Sequence, residues 1–348
     1  MNDDAAKTSG LSRGFVAQIA LTVVVVGAIF LYVLPRIVDY GDVWASVEAM
    51  TWLEVLTLAA LAVWNQATYV LVEMSGRPGL GYRQALKITM TSTAIANTLP
   101  AGAALGAGSQ VAMYVSYGFD PRDIAISMAS TGIWNTFTKL AMPVVALGLL
   151  VLDGNAGGPL VFASLVGLLV LVVAILAFTT VLRSERGAHA VGRRLGVALS
   201  YLGRLARRAS TRDWSAALTD FRRRAIQLLK SQWLPLTVAT LVSHVTLYIV
   251  LLVALRHVGL SNDVVSWQEV LAAFAFVRLL SALPITPGGL GVVELGLTAS
   301  LVAAGGDEAR VVAAILVYRL LTFVIPIPLG TVSYLFWRHE VGRNRRLA

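Results

Sequence analysis

Cysteine is absent from this chain, which excludes disulfides, thiolate metal ligands and a cysteine nucleophile. Histidine is scarce. His189, His244, His257 and His339 are the only four, and no two have metal-ligand spacing, so neither a metal nor a cofactor is expected. Charge is short as well: 14% of the 348 residues are charged, against about 25% in soluble domains. So little polar surface could not cover a water-soluble fold of this size. No G-x-x-x-x-G-K-[ST] motif is present, so no nucleotide engine of that type is encoded. No paired-carboxylate motif appears either, and the chain is not expected to be an enzyme.

What the chain has in abundance is apolar sequence, 57% of residues with a mean hydropathy of +0.74. The apolar stretches are continuous rather than alternating, which points to membrane helices and away from a β-barrel. Six runs read as full spans: Phe15 to Leu34, Trp52 to Val72, Ile124 to Leu152, Leu160 to Leu182, Trp233 to Leu255 and Arg310 to Trp337. The first lacks a small-x-small cleavage site and is read as a retained span rather than a signal peptide.

The net charge of +9 is concentrated. From Arg183 to Lys230 there are twelve Lys/Arg against Glu185, Asp213 and Asp220, and the C-terminal tail adds Arg338, Arg343, Arg345 and Arg346. The positive-inside rule makes the basic segment 183–232 and both termini cytoplasmic; nucleic-acid binding is not needed to explain them. Within that segment, Val197 to Arg208 mixes apolar and basic residues in a pattern that suits an interfacial helix on an anionic leaflet, or a solvated loop.

Two further apolar segments are broken near the middle. The first reads Asn97-Thr98-Leu99-Pro100-Ala101-Gly102, the second Leu283-Pro284-Ile285-Thr286-Pro287-Gly288-Gly289. Proline and glycine interrupt a helix, and each flank is short for a span. Re-entrant hairpins are favoured over pairs of short tilted spans. The segments match at a steady offset: Tyr82 with Trp267 at 185, Leu99-Pro100 with Leu283-Pro284 at 184, Leu105-Gly106 with Leu290-Gly291 at 185, and Pro143 with Pro326 at 183. The expected architecture is therefore a single all-α membrane domain, residues 1–348. Six full helices enclose two broken hairpins, in repeat copies 82–152 and 267–337. The charges place the first hairpin's entry inside and the second's outside, so the repeats are inverted, a pattern of secondary transporters with the breaks meeting near the midplane.

Ionisable residues at membrane depth are costly and generally functional. Arg278, Arg319 and Lys139, with Asn135 one turn before Lys139, are expected to face an anionic headgroup. Glu294 pairs with one of the arginines or meets a cationic part of the ligand. Asn97 and the backbone at Gly102, Gly288 and Gly289 complete the candidate site, the second half-helices beginning at Gly102 and Gly288 with their positive dipole ends toward the breaks. His244 reads as a packing histidine, and Asn65 as an interhelical hydrogen-bond partner.

Pro287-Gly288-Gly289-Leu290-Gly291-Val292-Val293-Glu294, with Gly305 and Tyr318-Arg319-Leu320 after it, resembles the signature of the lysylphosphatidylglycerol synthase transmembrane region, or flippase-like domain, family. Gly81-Tyr82-Arg83 and Leu99-Pro100-Ala101-Gly102 resemble it too, although Ala101-Gly102-Ala103-Ala104 stands where many members have paired glycines. The resemblance implies a protein of the plasma membrane that moves lipid between leaflets. It also implies that this chain, ending at Ala348, makes no aminoacyl lipid alone. The expectation is a flippase or transporter of an anionic or polyprenyl-phosphate-linked lipid, with membrane lipid as its partner and a homo-oligomer or an envelope enzyme as a further one. The other classes are a scaffold of an envelope complex, or a membrane lipid or glycosyl transferase using Asp39, Asp42 or Asp307.

Overall fold

The computed structural model describes residues 40–99, 101–152, 158–183, 214–281 and 286–347. The span expected at Phe15 to Leu34, the Val197 to Arg208 segment, Pro100 and Pro284 lie outside the described residues, which are helical with no strand among them.

After a short helix α1 (Tyr40–Glu48), α2 runs Trp52–Gly76. Its start is fixed by a capping box: the Thr51 hydroxyl accepts from the Glu54 amide, and the Glu54 carboxylate accepts from the Thr51 amide at 2.7 Å. Then come α3 (Tyr82–Thr98), α4 (Gly102–Ser116), α5 (Pro121–Leu152) and α6 (Gly158–Arg183). The second half has α7 (Trp214–His257), α8 (Trp267–Leu280), a single turn at Pro287–Gly289, α9 (Val292–Ala303) and α10 (Glu308–Arg319). A π-helical turn at Leu320–Val324 leads into α11 (Pro326–Leu347).

Among the described residues, four stretches are long and apolar enough to cross a membrane: Trp52–Gly76, Pro121–Leu152, Arg222–His257 and Glu308–Arg343. The chain is a multi-pass membrane protein. Helix α6 adds a 26-residue apolar rod whose Leu165, Leu169, Val173 and Leu176 stand exposed, as befits a surface solvated by lipid. Helix α7 begins nineteen residues before the expected span at Trp233. Arginine and lysine are good helix formers, so the basic stretch continues the helix. It is also anchored: Arg224 Nη1 donates to Asp123 Oδ1 of α5 at 3.0 Å.

Both broken segments fold as helix, break, helix, and then a turn into a longer helical run. At 1.5 Å per residue, α8 and α9 are only about 20 Å long, short of a hydrocarbon core of about 30 Å. Two cores form. One gathers Val70, Leu80, Ile88, Met113 and Ile124 from α2 to α5. The other gathers Leu251, Phe274, Val293, Leu297, Leu301 and Ile315, chiefly from α7 to α10. Each half-helix pair thus has its own apolar centre, with α2 and α7 packed together between them.

The long helices cross over. Helix α5, which follows the first hairpin, packs on α8 of the second; α11, which follows the second hairpin, packs on α3 of the first. Gly330 of α11 makes the latter approach possible, because a Cβ there would overlap the Met90 carbonyl and the Ala94 side chain. Ala146 of α5 and Ala275 of α8, both small, are fully buried.

Gly330→Val should therefore cost about 1–3 kcal/mol by overpacking, because the obstacle is backbone and no rotamer avoids it. Gly342→Ala, where nothing lies within 4 Å, should leave stability unchanged or slightly raised. Thermal unfolding of the detergent-purified protein checks both.

Candidate functional site

The first break is a left-handed step. Leu99 is extended, with its amide still donating to Ile95 O, and Ala101 takes φ 54°. That conformation is strained for a residue with a Cβ. It turns the chain back so sharply that Gly102 meets the Ala96 backbone, where a side chain would overlap. Helix α4 starts at Gly102 as its sequence suggests, with no side-chain cap.

The second break is longer. Gly288, Gly289 and Gly291 all have positive φ, at 56°, 69° and 80°, which only glycine adopts without strain. The Thr286 hydroxyl donates to Leu290 O at 2.8 Å and holds the loop closed. This half-helix begins at Val292 rather than Gly288, a correction of four residues, because three left-handed glycines cannot continue a helix. Its N-terminus is already occupied by a carboxylate of the chain itself: Glu294 Oε2 accepts from the Gly291 amide at 2.7 Å.

Glu294 is 2% exposed, and its other oxygen accepts from Arg319 Nε at 2.6 Å. Of the two arginines open to it from the sequence, Arg319 is thus the partner. The Arg319 guanidinium also donates to Gly288 O at 3.3 Å and lies over the Phe323 ring, 4.2 Å from its centroid. Phe323 in turn connects the copies: its carbonyl accepts from Asn97 Nδ2 at 3.1 Å. A Cβ on Gly288 would strike the Phe323 ring and lie 3.1 Å from Asn97 Oδ1. Five expected site residues, Asn97, Gly288, Gly289, Glu294 and Arg319, therefore converge where the two breaks meet, and α4, which Gly102 opens, also packs on the Pro287–Gly289 turn.

Lys139 and Arg278 make no hydrogen bond or ion pair with the described residues of this junction. They lie on α5 and α8, which pack together, and Glu294 reaches neither. Asn135 sits one turn before Lys139, on the same helix. His244 is only half satisfied: it is 2% exposed with Nδ1 3.0 Å from Thr240 O, while Nε2 has no partner. Asn65 does bridge helices, donating to Ser243 O at 3.1 Å.

Sequence reasoning missed Phe323 and the π turn that aims it. The signal was Pro326. Lacking an N–H, it cannot satisfy a carbonyl one turn back, and the ladder shifts so that the Ile325 amide donates to Leu320 O at 2.9 Å. Such insertions are a known way of bending a helix locally.

A family model for the lysylphosphatidylglycerol synthase transmembrane region matches residues 18–330. The chain belongs to that family. The match takes in both breaks, the junction and the Lys139–Arg278 pair of helices, and stops within α11. Membership agrees with the Pro287-to-Glu294 and Tyr318-Arg319 motifs, and the family's description points to membrane-lipid chemistry or transport. Comparison with curated proteins returns no match.

Arg319→Met should cost about 3–5 kcal/mol, because it leaves the Glu294 carboxylate buried without a counter-charge. Arg319→Met combined with Glu294→Leu should recover most of the loss. Thermal melts of the three proteins measure this; equal losses in the single and double variants would contradict the pairing.

Proposed function

We propose that this protein is a plasma-membrane lipid flippase or transporter that carries an anionic or polyprenyl-phosphate-linked lipid between leaflets, using the junction of the two breaks as part of its path. The observation that carries the reading is the meeting of the breaks through Asn97, Phe323 and Gly288. Lipid cannot satisfy free backbone N–H and C=O groups, so irregular backbone at membrane depth must be buried or line a wet cavity. Thr98, Ala101 and Gly288 are exposed; because lipid would leave the broken backbone there unsatisfied, the breaks border water in this reading.

The two copies form an inverted repeat of re-entrant hairpins. The reciprocal crossing of α5 on α8 and α11 on α3 supports this, since a two-fold relation between copies produces each contact twice. The copies are not chemically equal. Copy two is braced by Glu294 and Arg319; copy one has Ser109 and Asn135 about 185 positions earlier, two neutral residues that form no ion pair with each other. The braced copy acts as the frame and the unbraced one as the moving gate. The basic segment 183–232 and both termini are cytoplasmic, and the headgroup crosses while its chains stay in lipid. Without a nucleotide motif in this chain, movement is facilitated, or is driven by an ion gradient or by another subunit.

Reconstitution tests this. Liposomes holding the purified protein and head-labelled anionic lipid should expose inner-leaflet label to a membrane-impermeant quencher faster than protein-free liposomes. Glu294→Gln should slow this at least tenfold. Rates equal to those of protein-free liposomes across anionic, zwitterionic and polyprenyl-phosphate lipids would overturn the proposal.

A further inference from the structure

Arg278 and Lys139 have no hydrogen-bond or ion-pair partner among the described residues. Arg278 lies near the end of α8 with its Nε buried and unpaired. Lys139 is half-buried on α5, which packs on α8. Helix α7 packs on both and contributes His244, whose Nε2 is also buried and unpaired. The three side chains act on one another electrostatically, Arg278 on Lys139 and His244, and Lys139 on His244. Three helices thus bring two cations and a histidine with an unused ring nitrogen into one cluster.

Among the described residues, no acid pairs with this cluster. Glu294 is committed to Arg319 and the Gly291 amide. Glu269, on the helix of Arg278, is committed to the Ser266 cap at its far end. Two positive charges at membrane depth are therefore uncompensated from within. Holding like charges together out of water is costly unless an anion joins them, and a residue kept at that cost is generally a ligand contact. His244 Nδ1 faces the Thr240 carbonyl and so carries a proton. That leaves Nε2 to donate, when protonated, to a phosphate oxygen.

Resting on the lipid-transport reading, we infer that Arg278, Lys139 and His244 form a binding site for a phosphate group with two negative charges, a phosphomonoester or a diphosphate. Two cations match two charges, and Nε2, when protonated, matches the third terminal oxygen that a phosphodiester lacks. Phosphodiester lipids carry one charge and fit less well. The chemistry is shared by a lipid headgroup and by free phosphate.

The test uses the full chain in nanodiscs of neutral phosphatidylcholine. Phosphatidic acid, a phosphomonoester lipid, should raise the melting temperature by about 3–6 °C, and phosphatidylglycerol, a diester, by clearly less. Arg278→Gln and Lys139→Gln should each melt higher than the native protein in neutral nanodiscs, because an uncompensated charge has gone, and should lose the phosphatidic acid shift. Lys139→Arg should keep it. No shift with either phosphatidic acid or inorganic phosphate, or a shift retained in both glutamine variants, would overturn the site. Equal shifts from monoester and diester would overturn the two-charge assignment. A shift with inorganic phosphate but not with phosphatidic acid would keep a phosphate site and overturn the lipid as its source. If phosphatidic acid binds through these residues but no lipid crosses in the liposome assay, the site stands and the transport reading falls.

Discussion

Glu294 is the point from which the second half of this protein is held. It lies at the start of a twelve-residue helix with almost no exposed surface. One oxygen takes the amide that the preceding glycine loop leaves free, and the other takes Arg319. A carboxylate in such a place is tolerated only because both oxygens are satisfied. Its partner is fixed in turn by the Gly288 carbonyl and the Phe323 ring, and Phe323 passes the constraint to Asn97 in the other copy. A break in one hairpin is thereby tied to a break in the other through a single arginine and a single phenylalanine.

That arrangement answers the main physical problem of the fold. A helix broken inside a membrane has backbone groups that lipid cannot satisfy. Here they are satisfied from within the protein: by Glu294, by Arg319, by Thr286 on Leu290 O, and by Asn97 on Phe323 O. The first break uses fewer such contacts and a strained Ala101 in place of a glycine. The inequality between the halves is therefore structural as well as chemical. It gives the proposed inverted repeat a firm side and a looser one.

Much of this was legible in the sequence because membrane helices are written in long, coarse signals. The ends of α2 and α5 fall within a few residues of the expected spans, and the Asn97-to-Gly102 and Ala282-to-Gly291 stretches mark the breaks because proline and glycine act locally. What the sequence hid depends on rotation about a helix axis and on local ladder shifts. Arg278 and Arg319 were equal candidates for Glu294, since spacing gives height in the membrane but not direction. The N-terminal extension of α7 was hidden because hydropathy reports what suits lipid, not where a helix stops. Phe323 looked like any other apolar residue until the π turn pointed it between the breaks.

The central claim is that the two breaks border water deep within the membrane. The chain's lack of cysteine makes this directly measurable, because a single engineered thiol has no competitor. Thr98→Cys and Ala101→Cys, at exposed positions of the first break, should react in proteoliposomes with a charged, membrane-impermeant thiol reagent. Leu169→Cys, on the exposed apolar face of α6, should not. Thiols at 98 and 101 as unreactive as the one at 169 would contradict the account, placing the first break in lipid or in packed protein rather than on a path for a headgroup.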